Sequence, residues 1–156
     1  MSRNLLGYNQ KITMEWLDVT ASKVAEGCSS TEVREHLFSL LDGVVGGRRT
    51  ASARSKTVAV LTRIWSNVPP ECVKLQRSAI KLLRDADPGQ RLATHWAMAT
   101  GCYIFFSDAA IAVGRLLELQ GLVSQRQLCR RLQEVWGDRS TLHRSSQLAI
   151  RNMVLW

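Results

Sequence analysis

Apolar residues recur at steps of three and four along almost the whole chain, and the alternation typical of strands is nearly absent, which predicts an all-α protein. The first predicted helix covers 11–26, with Ile12, Trp16, Val19 and Lys23 or Val24 on one stripe and Gly27 as its stop. The second opens on Ser29 and Glu32 in capping-box spacing, turns Val33, Leu37, Leu40 and Leu41 inward, and stops at Gly43. A third runs from about residue 56 to 66 through Val58, Leu61, Ile64 and Trp65. Val68-Pro69-Pro70-Glu71 starts a fourth, because proline fits the first helical turn and Glu71 favours the positive end of the dipole. Its predicted inward stripe is Cys72 or Val73, Leu75, Ala79, Leu82 and Leu83.

Asp87-Pro88-Gly89 is the strongest turn signal and the predicted boundary between an N-terminal helical subdomain, 1–87, and a C-terminal one, 88–156. The segment 90–103 is apolar nearly all round and is expected to be a central helix. Ser107 or Asp108 is the expected cap of the next helix, which carries Ala109, Val113, Leu116 and Leu117 and ends at Gly121. Ser124 and Gln127 form a second capping-box pair ahead of Leu128, Leu132, Val135 and Trp136. Gly137-Asp138-Arg139-Ser140 then reads as a turn, with Ser140 capping a last helix. Three helices in succession with short connections predict a C-terminal helix-turn-helix over 124–156. The arrangement expected is winged-helix-like, with the wing absent or truncated, because a winged helix adds a β-hairpin after its recognition helix.

Composition sharpens this picture. At 156 residues and 46% apolar content the chain has material for a core and is no disordered basic tail. Lys and Arg total 21 against 13 Asp and Glu, a net charge of +8, which predicts an anionic partner without specifying a fold. The excess is concentrated. Arg48, Arg49, Arg54, Lys56 and Arg63 fall in a stretch free of acids between Asp42 and Glu71, most of them in the Gly- and Ser-rich segment 43–55, which reads as a basic loop. From Gln120 onward Arg126, Arg130, Arg131, Arg139, Arg144 and Arg151 outnumber Glu134 and Asp138. Cys28, Cys72, Cys102 and Cys129 show no zinc spacing and are expected to be free thiols in a reducing cytoplasm. Leu92–Gly114 is long enough to span a bilayer, but its embedded Asp108 and polar residues favour two buried helices, so no membrane association is expected.

The last helix carries the clearest functional pattern. Leu142, Ser146, Ala149, Met153 and Trp156 are expected to face the core, leaving Ser140, His143 or Arg144, Gln147 and Arg151 on the other side, with Thr141 beside its start. Arg139, Thr141, Arg144, Gln147 and Arg151 are expected to face the groove of bound DNA. Arg, Gln, Ser and Thr read base edges or grip phosphates, and in a helix-turn-helix the amino-terminal half of this helix enters the major groove of double-stranded DNA. Arg126, Arg130 and Arg131 on the preceding helix, together with Arg48, Arg49, Arg54 and Lys56, are expected to hold phosphates. A competing expectation is an interaction subunit that docks onto a larger protein or onto a second copy of itself. Catalysis is not expected. His36, His95 and His143 stand apart, no HExxH or GxSxG occurs, and Gly46-Gly47 is not followed by GK[ST], so neither a metal, another cofactor nor a nucleotide phosphate is implied. His95 beside Trp96 is expected to be a satisfied core histidine.

The segments RSKTVAVLTRIWSNVPPE, RLATHWAMATGCYIFFSDAAIAVGRLLELQG and RLQEVWGDRSTLHRSSQLAIRNMVLW together resemble BrxA, the small helical component of BREX bacteriophage-exclusion systems. The resemblance covers about Arg54–Trp156 and implies an all-helical DNA-binding accessory protein in phage defence, alongside other defence-system proteins. It transfers no active-site residue.

Overall fold

A computed structural model describes residues 8–46 and 52–156, and every regular element among them is helical. The elements are α1 (Met14–Ala25), α2 (Ser30–Leu40), α3 (Ala53–Trp65), a 3₁₀ turn at Pro70–Cys72, α4 (Val73–Leu83), α5 (Pro88–Cys102), α6 (Ile104–Gln120), α7 (Gln125–Trp136) and α8 (Leu142–Leu155). They fall into two compact units, one formed by Ile12–Cys102 and the other by the segment up to Lys11 together with Tyr103–Trp156. The turn at 87–89 lies inside the first of these, joining α4 to α5.

In the 12–102 unit α3 is the central helix, packing on α1, α2 and α5. Eight of its 13 residues are buried, against five of 15 in α5, so the helix expected at the centre is not the one found there. Apolar content alone misleads here, because the buried face of α3 includes Thr57 and Thr62. Their hydroxyls donate to the carbonyls of Ala53 and Val58, four residues earlier and 2.9 Å away, which removes the cost of burying them. Helix α1 buries Leu17, Thr20 and Ala21, while Trp16 and Val19 remain half-buried, a rotation of the expected stripe. On α4 Ala79 is buried but Leu82 is exposed. Where α4 meets α5, a Cβ on Gly101 would lie 2.8 Å from Leu75 Cδ2, so a larger residue there requires the Leu75 side chain to shift.

The polar centre of this unit is a chain of hydrogen bonds across three helices. Trp65 Nε1 donates to His95 Nδ1 at 3.2 Å, and His95 Nε2 lies 3.1 Å from Asp18 Oδ1, which also accepts from Arg91 Nη1 at 2.8 Å. An indole N–H can only donate, so His95 Nδ1 is the acceptor and the imidazole proton sits on Nε2, directed at Asp18. His95 is thus a satisfied core histidine held neutral. Burial lowers its pKa from the ordinary 6.5, against the opposing pull of the Asp18 carboxylate. Between the folded value and 6.5 the unfolded chain binds the extra proton, so His95 stabilises the fold fully above about pH 6.5 and progressively less as the pH falls below it. An NMR titration of the His95 ring should give a midpoint below 6.5, with urea stability declining over the same acid range. A midpoint at or above that value contradicts the tautomer and the burial argument.

In the other unit α6, α7 and α8 pack pairwise on one another. Ser124 and Gln127 form the expected capping box, and Gly121 and Gly137 take positive φ at the ends of α6 and α7. The start of α6 differs from expectation. It begins at Ile104 after an extended Tyr103, with no side-chain cap, and Ser107 and Asp108 lie inside the helix. Asp108 Oδ2 instead accepts from Trp136 Nε1 at 3.0 Å. The apolar segment 92–114 is therefore divided between α5 and α6, and among the described residues no single helix is long and apolar enough to cross a membrane. The aromatic core joins Tyr8 to Tyr103 and Phe106, Phe106 to Trp156, and Phe105 to Trp136. Asn152, fully buried on α8, donates to Tyr8 Oη at 3.0 Å and to the Gln10 carbonyl at 2.9 Å.

Candidate nucleic-acid interface

Helix α8 presents two opposed faces. Leu142, Ser145, Ser146, Ala149 and Asn152 are buried, whereas Ser140, Thr141, His143, Arg144, Gln147 and Arg151 are all exposed. The outward stripe is as expected from helical spacing. The inward one is turned slightly, with Asn152 in the core and Met153 half-buried at its margin. Ser146 fits among apolar neighbours because its hydroxyl donates to the Leu142 carbonyl at 2.8 Å. Helix α8 starts one residue later than predicted, with Thr141 as the preceding residue and no side chain capping its first turn. The outward stripe carries Arg144 and Arg151 and no carboxylate.

The α7 side chains that join this face are Gln125, Arg126, Arg130 and Gln133. With His143 and Gln147 of α8 they line an open groove of about 760 Å³. Gln125 Nε2 approaches His143 Nε2 at 3.4 Å across the turn between the helices, fastening the mouth of the groove. Such a lining offers guanidinium and amide donors to phosphate or base edges and holds no carboxylate to repel them.

Not every expected residue reaches this face. Arg131 lies on the α6 side of α7, 3.3 Å from Glu134 in an exposed pair. Arg139, half-buried, stacks its guanidinium 5.6 Å from the centre of the Trp136 ring, at the rim of the turn. Arg54 is a correction to the expected phosphate grip. It is buried on α3, with Nη2 2.6 Å from Asp42 Oδ1 and Nε donating to the Val45 carbonyl at 3.1 Å, so it ties the turn after α2 to α3. The expected basic loop is too long because Ser52 caps α3, its hydroxyl accepting from Ser55 N at 3.2 Å, which brings Ala53-Arg54-Ser55 into the helix. Lys56 is exposed on α3, in the 12–102 unit. Arg48 and Arg49 lie outside the described residues. Spacing alone did not mark Gln125 and Gln133 as part of the groove. The signal was available, since both fall on the Arg126–Arg130 side of the α7 helix.

Among the described residues no group of three or more His, Cys, Asp or Glu is placed to hold a metal ion. No family model, curated protein or solved structure matches this chain.

Proposed function

We propose that the protein binds double-stranded DNA through α7 and α8, used as a helix-turn-helix in which α8 enters the major groove. The observation that carries the reading is the exposed, acid-free stripe Ser140, His143, Arg144, Gln147 and Arg151, set opposite a closed core face. Arg126 and Arg130 beside the α7–α8 groove hold phosphates. Lys56 and the segment containing Arg48 and Arg49 add non-specific affinity. The role is accessory and non-catalytic, and the resemblance to BrxA supports a part in phage exclusion.

Fluorescence-anisotropy titrations with duplex DNA, single-stranded DNA and RNA at two salt concentrations test this. Duplex binding should be preferred and should weaken steeply with salt, as counterion release requires. The double variant Arg144→Ala/Arg151→Ala should lose roughly 1–3 kcal/mol for each base contact removed, while Arg77→Ala, on α4, should leave affinity unchanged. Equal affinity in the double variant, or binding indifferent to salt, removes α8 from the reading. Preference for RNA moves the face to a different ligand.

A further inference from the structure

We infer that the chain pairs with a second copy of itself through the outer face of α6, in an antiparallel, two-fold arrangement. Ile111, Arg115 and Glu118 follow at steps of four and three along that face, and the exposed Leu122 lies just beyond the Gly121 cap that ends the helix. This is the spacing of a helix–helix seam, yet in the folded chain the seam is open: Ile111 is 51% exposed, Leu119 78% and Leu122 75%. Beside it a groove of about 520 Å³ runs between α6 and α7, floored by Leu116 and Leu132 and rimmed by Ile111, Leu119 and Val135.

Two further features identify the occupant. A helix interior disfavours glycine, and Gly114 stands in the middle of α6 with open space where a side chain would be, so nothing among the described residues explains it. A close-approaching neighbour does. Charge supplies the second argument. Arg131 is matched by Glu134 and Asp108 by Trp136, but among the described residues neither Arg115 nor Glu118 forms an ion pair. Antiparallel pairing that sets Arg115 of one copy opposite Glu118 of the other satisfies both residues twice over. The same register brings Ile111 of each copy to the Leu122 end of the other α6, with Gly114 on one flank of the series and Leu119 on the other. An isologous contact requires such self-complementarity, and the +8 net charge makes a matched pair at the centre more valuable, since the two surfaces otherwise repel.

Sedimentation equilibrium at tens of micromolar tests the pairing without nucleic acid, independently of the DNA reading. The wild-type chain should sediment at twice its 17.5 kDa mass. Arg115→Glu and Glu118→Arg should each sediment at one chain mass with unchanged helical circular dichroism, because each places like charges at both contacts. An equimolar mixture of the two variants should return to two chain masses, since one chain then presents two carboxylates at positions 115 and 118 and the other two guanidinium groups, and both contacts are again of opposite charge. Leu119→Asp, which removes the apolar contact, should be monomeric alone and in every mixture. A wild-type chain at single mass overturns the proposal and leaves the face to another protein. Single variants that still pair, or a mixture that stays monomeric, overturn the α6 register.

Discussion

Trp65→Ala should lower the unfolding free energy by roughly 3–5 kcal/mol, the range for emptying a large aromatic site in a core that cannot collapse around it. The indole is fully buried on the central helix of the 12–102 unit, and its ring stands edge-on to His95 with centroids 5.3 Å apart. Two losses combine in this variant. The greater is apolar area and the contacts of a filled interior. The smaller is the N–H donated to His95 Nδ1, whose removal leaves a buried acceptor unmet. Trp65→Phe separates them, since it keeps most of the volume and loses the donor; about 1–3 kcal/mol is expected. Urea midpoints of the three proteins decide the matter. Equal values for the Ala and Phe variants would mean that the hydrogen-bonded chain to Asp18, and not packing, dominates.

Asn152→Leu should cost about 2–4 kcal/mol although leucine is nearly isosteric and more apolar, because the buried amide donates to both the Tyr8 hydroxyl and the Gln10 carbonyl. Burial raises the Tyr8 pKa well above its ordinary range, so the hydroxyl remains neutral at every pH at which the protein folds and does not titrate away from its partner. The double variant Asn152→Leu/Tyr8→Phe should recover part of the loss by removing the hydroxyl that the single variant strands. Amide hydrogen exchange offers a second measurement, with protection of α8 falling in the single variant. A single variant as stable as wild type would show that the amide contributes no more than its volume.

The all-helical fold was legible because it depends on short-range spacing. Ser29, Ser124, Gly121 and Gly137 punctuate helices through contacts within four residues, and each acts where its position in the sequence predicts. The outer stripe of α8 was legible for the same reason. What failed depended on distant partners. Ser107-Asp108 looks like a cap, but the carboxylate is drawn to Trp136, 28 positions later, and the helix begins earlier. Arg54 resembles its exposed neighbours until Asp42 and the Val45 carbonyl fold back on it. Asn152 has no local feature that distinguishes it from a surface residue. Its burial is dictated by Tyr8, 144 positions away. Central position was misjudged for a related reason, since α3 reaches it through threonines whose polarity is cancelled within their own helix.

The clasp between Asn152 and Tyr8 also fixes an order of events. The unit that holds both residues is assembled from two separated stretches of sequence, so Ile12–Cys102 is an insertion within it. On the ribosome the inserted unit can fold as soon as α5 has emerged, while Tyr8–Lys11 waits without its partner until α8 has been made. Joining the two stretches closes a long loop, which costs more entropy when the intervening chain is disordered than when it is already compact. The host unit therefore completes its packing only after the whole insertion has been synthesised, and it depends on a segment synthesised ahead of that insertion.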